Sequence, residues 1–122
     1  MSRDEEQQPG APLRGPARFA GAGLDDFDDL ADHFAPELRR GVMMGRPMLA
    51  LEGRMLACLD SGMLGVRLGR ESSAFAEAME LPGATLFAPG KGPKQFRDWA
   101  AIPAEHSSEW AYFVAAAIEA RR

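Results

Sequence analysis

The chain holds a single cysteine, Cys58, among 122 residues. One thiol excludes an intramolecular disulfide and any metal centre that needs several thiolates from one chain. Only two histidines are present, His33 and His106. To hold a metal or to run acid–base chemistry they would need further ligands, or a nucleophile with a base beside it, and the sequence places none there. No run of 18 apolar residues occurs, so no membrane-spanning helix is expected. The opening MSRDEEQQPGAPLRGPARF begins with acids and amides and lacks an apolar stretch of signal-peptide length. Together these absences make a reduced, cytoplasmic setting the expectation. A G-x-S-x-G elbow is missing around the serine pairs Ser72-Ser73 and Ser107-Ser108, which read instead as helix caps.

A strong excess of basic charge is missing too. The formal net charge is -4, and it is unevenly spread. Residues 1–23 balance three acids against three arginines, residues 24–38 carry six acids and no Lys or Arg, and residues 39–122 hold eleven basic and nine acidic groups. Nucleic-acid binding by bulk charge is therefore not expected, although a local basic patch remains open. What the chain does have is 46% hydrophobic and 26% charged residues, a globular composition for one domain with one core.

Residues 1–22 are rich in Pro, Gly, Gln and charge, which predicts a disordered N-terminal tail before a domain over 23–122. Phe27, Leu30, Phe34 and Leu38 recur at helical spacing and predict a helix over 24–39, bent or ended near Pro36 and stopped by Gly41. Its first turns carry Asp25, Asp26, Asp28 and Asp29, where negative charge suits the helix dipole. Three strand segments follow. The first, 42–50, is interrupted by Gly45-Arg46-Pro47 and is either two pieces or one bulged strand. Turns at Glu52-Gly53 and Asp60-Ser61-Gly62 lead into 54–59 and 63–68. In 63–68 the residues Leu64, Val66 and Leu68 alternate with Met63, Gly65 and Arg67, which predicts one buried and one partly wet sheet face. A short helix over 71–79, strands over 84–87 and 95–102, and a last helix over 107–120 capped by Ser107 complete the pattern. The expected fold class is α+β: a two-layer sandwich of order α-β(3)-α-β(2)-α, with helices covering one face of an antiparallel sheet.

Five segments in order resemble the N-terminal domain of the TfoX/Sxy family: Met43-Met44-Gly45-Arg46-Pro47-Met48, Glu52-Gly53-Arg54-Met55, Leu64-Gly65-Val66-Arg67-Leu68, Pro82-Gly83-Ala84 to Phe87-Ala88-Pro89, and Phe96-Arg97-Asp98-Trp99 with Ile102-Pro103. Met44 stands where that family has Phe, Phe96 where it has Met, and Ala100-Ala101 where it has bulkier strand residues. The resemblance covers about four-fifths of the chain and implies the same element order. It also implies a regulatory role of the competence type, which in that family usually involves a second, helical domain. A stand-alone, single-domain member is the expectation.

Several residue groups invite chemistry. Asp25, Asp29 and Asp32, with Asp28 beside them, lack the spacing of a calcium loop and read as a solvated helix face. Cys58, between Ala57 and Leu59, reads as a small buried hydrophobe. Gly90-Lys91-Gly92-Pro93-Lys94 lacks the Walker pattern, yet Lys91 and Lys94 offer an anion contact near Arg97. Seven methionines are many for this length, and five of them fall on the three-strand region. The predicted function is thus an interaction or regulatory module, without catalysis or cofactor, that binds a protein partner or itself through its sheet. Met44, Met48, Met63, Phe96 and Trp99 are its expected anchors, with Arg46, Arg67 and Arg97 as rim charges. The alternative is a nucleic-acid-associated, competence-type regulator acting through loop 90–97.

Overall fold

A computed structural model describes residues 22–90 and 95–121. The predicted tail, apart from Ala22, and the candidate anion contacts Lys91 and Lys94 lie outside the described residues. The elements run α1 (Leu24–Phe34), β1 (Arg39–Met43), β2 (Arg46–Leu51), β3 (Arg54–Asp60), β4 (Met63–Arg67), α2 (Ser73–Met79), β5 (Thr85–Phe87), β6 (Phe96–Pro103), a 3-10 turn (Ala104–Glu109) and α3 (Trp110–Ala120). The strands form one antiparallel sheet in the order β1-β2-β3-β4-β6-β5. The molecule is α+β as expected, with the interrupted segment resolved as two strands, so that four strands precede α2.

Three hairpins of two residues each build the first four strands. Met44-Gly45, Glu52-Gly53 and Ser61-Gly62 all carry positive φ at both positions. That geometry matches the right-handed twist of adjacent strands, and glycine supplies the second position without steric cost. Pro47 has no N–H to give, and the backbone pairing of β2 with β3 begins only after it, at Met48. Beyond that point the two strands are joined by a side-chain pair, Arg46 Nε donating to Asp60 Oδ1 at 2.6 Å.

The helices cover one face. Phe27, Leu30, Leu49, Leu56, Leu59, Leu64, Val66, Ile102, Trp110, Phe113, Val114 and Ile118 make the main core. Trp110 lies wholly inside it and donates its indole N–H to the Ile102 carbonyl at 3.2 Å. Leu56 is the extra residue of a bulge, because Leu49 pairs Ala57 while Ala50 pairs Met55.

Several expected boundaries move. α1 ends at Phe34, two residues before Pro36, and Gly41 lies inside β1 instead of stopping the helix. α2 starts at Ser73, with the Ser72 Oγ accepting from the Phe75 N–H at 3.0 Å, a side-chain cap as expected. Ser107 does not cap α3: the segment before Trp110 is a 3-10 turn, and Glu109 at the cap makes no side-chain hydrogen bond. Asp28 is no part of a solvated face. It is 2% exposed and accepts from Arg40 Nη2 at 2.6 Å, while the same guanidinium lies over the Phe27 ring.

Candidate interaction surface

Alternation along each strand sets what the second sheet face carries. In β2 Arg46 and Met48 point to it, in β3 Cys58 and Asp60, in β4 Met63, Gly65 and Arg67, and in β6 Trp99 and Ala101. β1 adds Gly41 and Met43, and β5 adds Thr85 and Phe87. Cys58, Phe87, Trp99 and Ala101 form a second buried cluster there, with Met43, Met48, Met55, Met63 and Phe96 packed against it. The predicted anchors Met48, Met63, Phe96 and Trp99 are thus gathered on one surface, and none of the three helices covers it.

This face is not the free pleat the sequence led one to expect. Trp99 is only 6% exposed and stacks on Phe87 at 5.7 Å between ring centroids, with Phe96 edge-on to both. The Phe87 ring lies flat over Gly65, where an added Cβ would stand 2.5 Å from the Phe87 Cγ. Gly41 gives the same kind of clearance to Met48, whose methyl would lie 2.7 Å from a Cβ at that position. Chain after β5 also folds back over the face: a Cβ on Gly90 would sit 3.6 Å from Arg46 Nη2, and Arg46 belongs to β2, at the other side of the sheet from β5. Trp99 is therefore a floor for the surface and not a contact anchor.

What stands out of that floor is the β1–β2 hairpin and its neighbours. Met44 is 77% exposed. Arg46 is half-buried and makes two contacts: Nε holds Asp60, and Nη1 donates to the Met44 carbonyl at 3.1 Å. Arg67 is half-buried beside Trp99 in register, and Arg97 is exposed. At this end of the face an open groove of about 250 Å³ is lined by Asp60, Ser61, Met63, Thr85, Phe87 and Ala101 among others. Burial pushes the Cys58 thiol up to about 12, with the nearby Arg46 charge acting against the rise and Asp60 adding to it. A thiol so placed stays protonated at neutral pH and is no nucleophile.

The other candidates scatter. His106 sits with its Nε2 2.8 Å from the Pro82 carbonyl oxygen. His33 is exposed on α1 and borders a shallow groove of about 420 Å³ with Asp26, Asp29, Ser107 and Ser108. Among the described residues no three His, Cys, Asp or Glu side chains converge as a metal site would require. No described helix is long and apolar enough to cross a membrane. Two residues of this surface, Asp60 and Phe87, have no assigned role in the sequence reading. Asp60 reads as a turn residue in the sequence, whereas in the structure it ends β3 opposite Met63, which sets its side chain on this face. Alternation in 63–68 sets Gly65 on this face, but its contact with Phe87, two strands away across β6, shows only in the folded sheet. Comparison with protein-family models, with curated proteins and with solved structures finds no match for this chain.

Proposed function

We propose that the chain is a small non-catalytic interaction or regulatory module of the TfoX N-terminal-domain type, which binds a protein partner or a second copy of itself through the second face of its sheet. One observation carries this reading: four methionines and three aromatic rings gather on the face that the helices leave, and an exposed methionine, Met44, stands at its edge. Polarizable, unbranched side chains over an aromatic floor adapt to a partner surface at little cost. Arg46, Arg67 and Arg97 supply the charged rim. Arg46 is already engaged by Asp60, which lowers the positive field available to an anionic polymer.

Affinity capture from native lysate, with and without nuclease, tests the reading. Met63→Glu places a charge among the surface methionines, and its effect is compared with that of Glu119→Lys on the opposite side of the molecule, with near-UV circular dichroism as a folding control. The expected result is a protein set that survives nuclease and is lost with Met63→Glu alone. Identical capture by both variants overturns the reading. Capture that vanishes with nuclease favours the nucleic-acid alternative through loop 90–97.

A further inference from the structure

The three two-residue hairpins of this sheet are natural controls for one another. Each has the sequence X-Gly, and each places X in the left-handed region: Met44 at φ 50, Glu52 at φ 51 and Ser61 at φ 53. That conformation is disfavoured for side chains with a Cβ and is tolerated best by Asn, Asp and Gly. Glu52 and Ser61 are polar and point to water, as a hairpin tip requires. Met44 shares the left-handed position with the other two but departs from them in chemistry: its side chain is apolar and yet 77% exposed. Among the described residues Met44 belongs to neither buried cluster. A large apolar side chain so exposed at the edge of the methionine-rich face points to a use outside the fold.

The tip is also held still. Its carbonyl accepts from Arg46 Nη1, and Arg46 Nε is fixed by Asp60 at 2.6 Å. Asp60 in turn lines the groove of about 250 Å³ whose walls include Met63, Phe87 and Ala101, with Ser61 and Thr85 at its polar mouth. In an up-and-down meander the β1–β2 and β3–β4 turns lie at the same end of the sheet, so the protruding methionine and the apolar groove share one surface with the Arg46–Asp60 pair between them. A projection and a recess side by side on one patch are what a two-fold contact between identical chains needs, since each chain offers both halves.

We infer that Met44 is a docking knob and that its seat is the groove lined by Met63, Phe87 and Ala101 on a second copy of this chain. The inference rests on the reading that the second face binds a partner or itself, and it names the partner. The neutral Arg46–Asp60 pair allows the two copies to approach without like-charge repulsion at the centre. A hairpin tip and one groove make a small contact, below about 1,200 Å² in total, so the association is weak and reversible.

Sedimentation equilibrium of the full chain from about 5 to about 500 µM tests it, a range that brackets weak self-association. The wild type is expected to pass from monomer toward dimer across that range. Met44→Asn removes the knob yet suits the turn better, so the dissociation constant rises at least about tenfold while the unfolding temperature holds or increases. Thr85→Arg, at an exposed strand position on the groove mouth, raises it similarly. Mixing the two variants restores partial association, because the intact knob of one meets the intact groove of the other. A wild type that is monomeric throughout overturns the inference, and so does dimerisation untouched by Met44→Asn. Loss on Met44→Asn without loss on Thr85→Arg overturns the assigned seat. If the wild type stays monomeric while Met63→Glu still abolishes nuclease-resistant capture, self-docking falls and the sheet-face reading stands.

Discussion

Phe87 and Gly65 show how far one position depends on another across this sheet. They lie on strands that do not touch directly, with β6 between them, and the ring reaches over that strand to rest on the glycine backbone. Any side chain at 65 meets the ring body and not a flexible tip. Gly65→Ala is therefore expected to cost about 1–3 kcal/mol through overpacking, read as a lower urea midpoint with an unchanged slope. Gly53→Ala, where a Cβ meets nothing but the backbone is left-handed, provides the comparison for backbone strain without contact. A loss at Gly65 below about 0.5 kcal/mol would show that the ring is free to move aside. Cys58 makes a second prediction at this scale. Its thiol is wholly buried, and its folded pKa of about 12 lies above the ordinary 9.0. The folded chain thus binds the proton more tightly than the unfolded one, so the stability tied to Cys58 is intact below pH 9 and is lost as pH rises from 9 toward 12. Arginine-independent evidence comes from Cys58→Ala, whose stability should fall less steeply than the wild type's over that window. At pH 8 a disulfide-exchange reagent should leave the native thiol unmodified and react once guanidinium unfolds the chain.

At the scale of elements, local chemistry was legible wherever it acted alone. Glu52-Gly53 and Ser61-Gly62 announced their hairpins, Ser72 announced its cap, and the 3.6-residue stripe of Trp110, Phe113, Val114, Ala117 and Ile118 announced α3. Reading failed where two signals competed. Met44-Gly45 has the same turn form as the other two hairpins, but Pro47 two residues on drew the interruption away from it. In the structure Pro47 lies within β2, buried, where it delays pairing with β3 until Met48. Helical spacing carried α1 on to Leu38, although Pro36 excludes helix just before it. Leu38 is buried all the same, reached from the loop and not from the helix. Ser107 and Glu109 have the composition of a helix start, and the backbone there instead winds as a 3-10 turn with His106 out of helical range. A connection between helices adds what sequence could not show: the Tyr112 hydroxyl donates to Glu77 at 2.9 Å and joins α3 to α2, which raises the phenol above its usual range.

For the whole molecule the main departure from the sequence reading is burial on both sides of the sheet centre. β3, β4 and β6 hold Ala57, Leu64, Val66, Ala100 and Ile102 against the helices, and Cys58, Gly65, Trp99 and Ala101 against the aromatic cluster. Strands buried on both faces read as continuous apolar runs, such as Met55–Leu59 and Trp99–Ile102, and this is why alternation was clear only in β4. The face-sharing of Met48, Met63 and Trp99 follows from alternation once the strands are placed, whereas Phe96, three residues from Trp99, joins them only through the irregular pairing of β5 with β6. The depth of Trp99 was not legible, because it depends on Phe87 from the neighbouring edge strand β5, far from it in sequence. Two-sided burial also sets where the sheet opens first. β1 is an edge strand whose residues are exposed or half-buried throughout, and β5 is an edge of three residues. Native-state hydrogen exchange at low protein concentration should then separate the sheet into two classes. Amides of β3, β4 and β6 should exchange only through global unfolding, with equal apparent free energies. Those of β1 and β5 should exchange by local opening, at rates insensitive to low denaturant. If β1 proved as protected as β4 in the monomer, the second cluster would not be confined to the sheet centre, and the hairpin that presents Met44 would belong to the core instead of standing out from it.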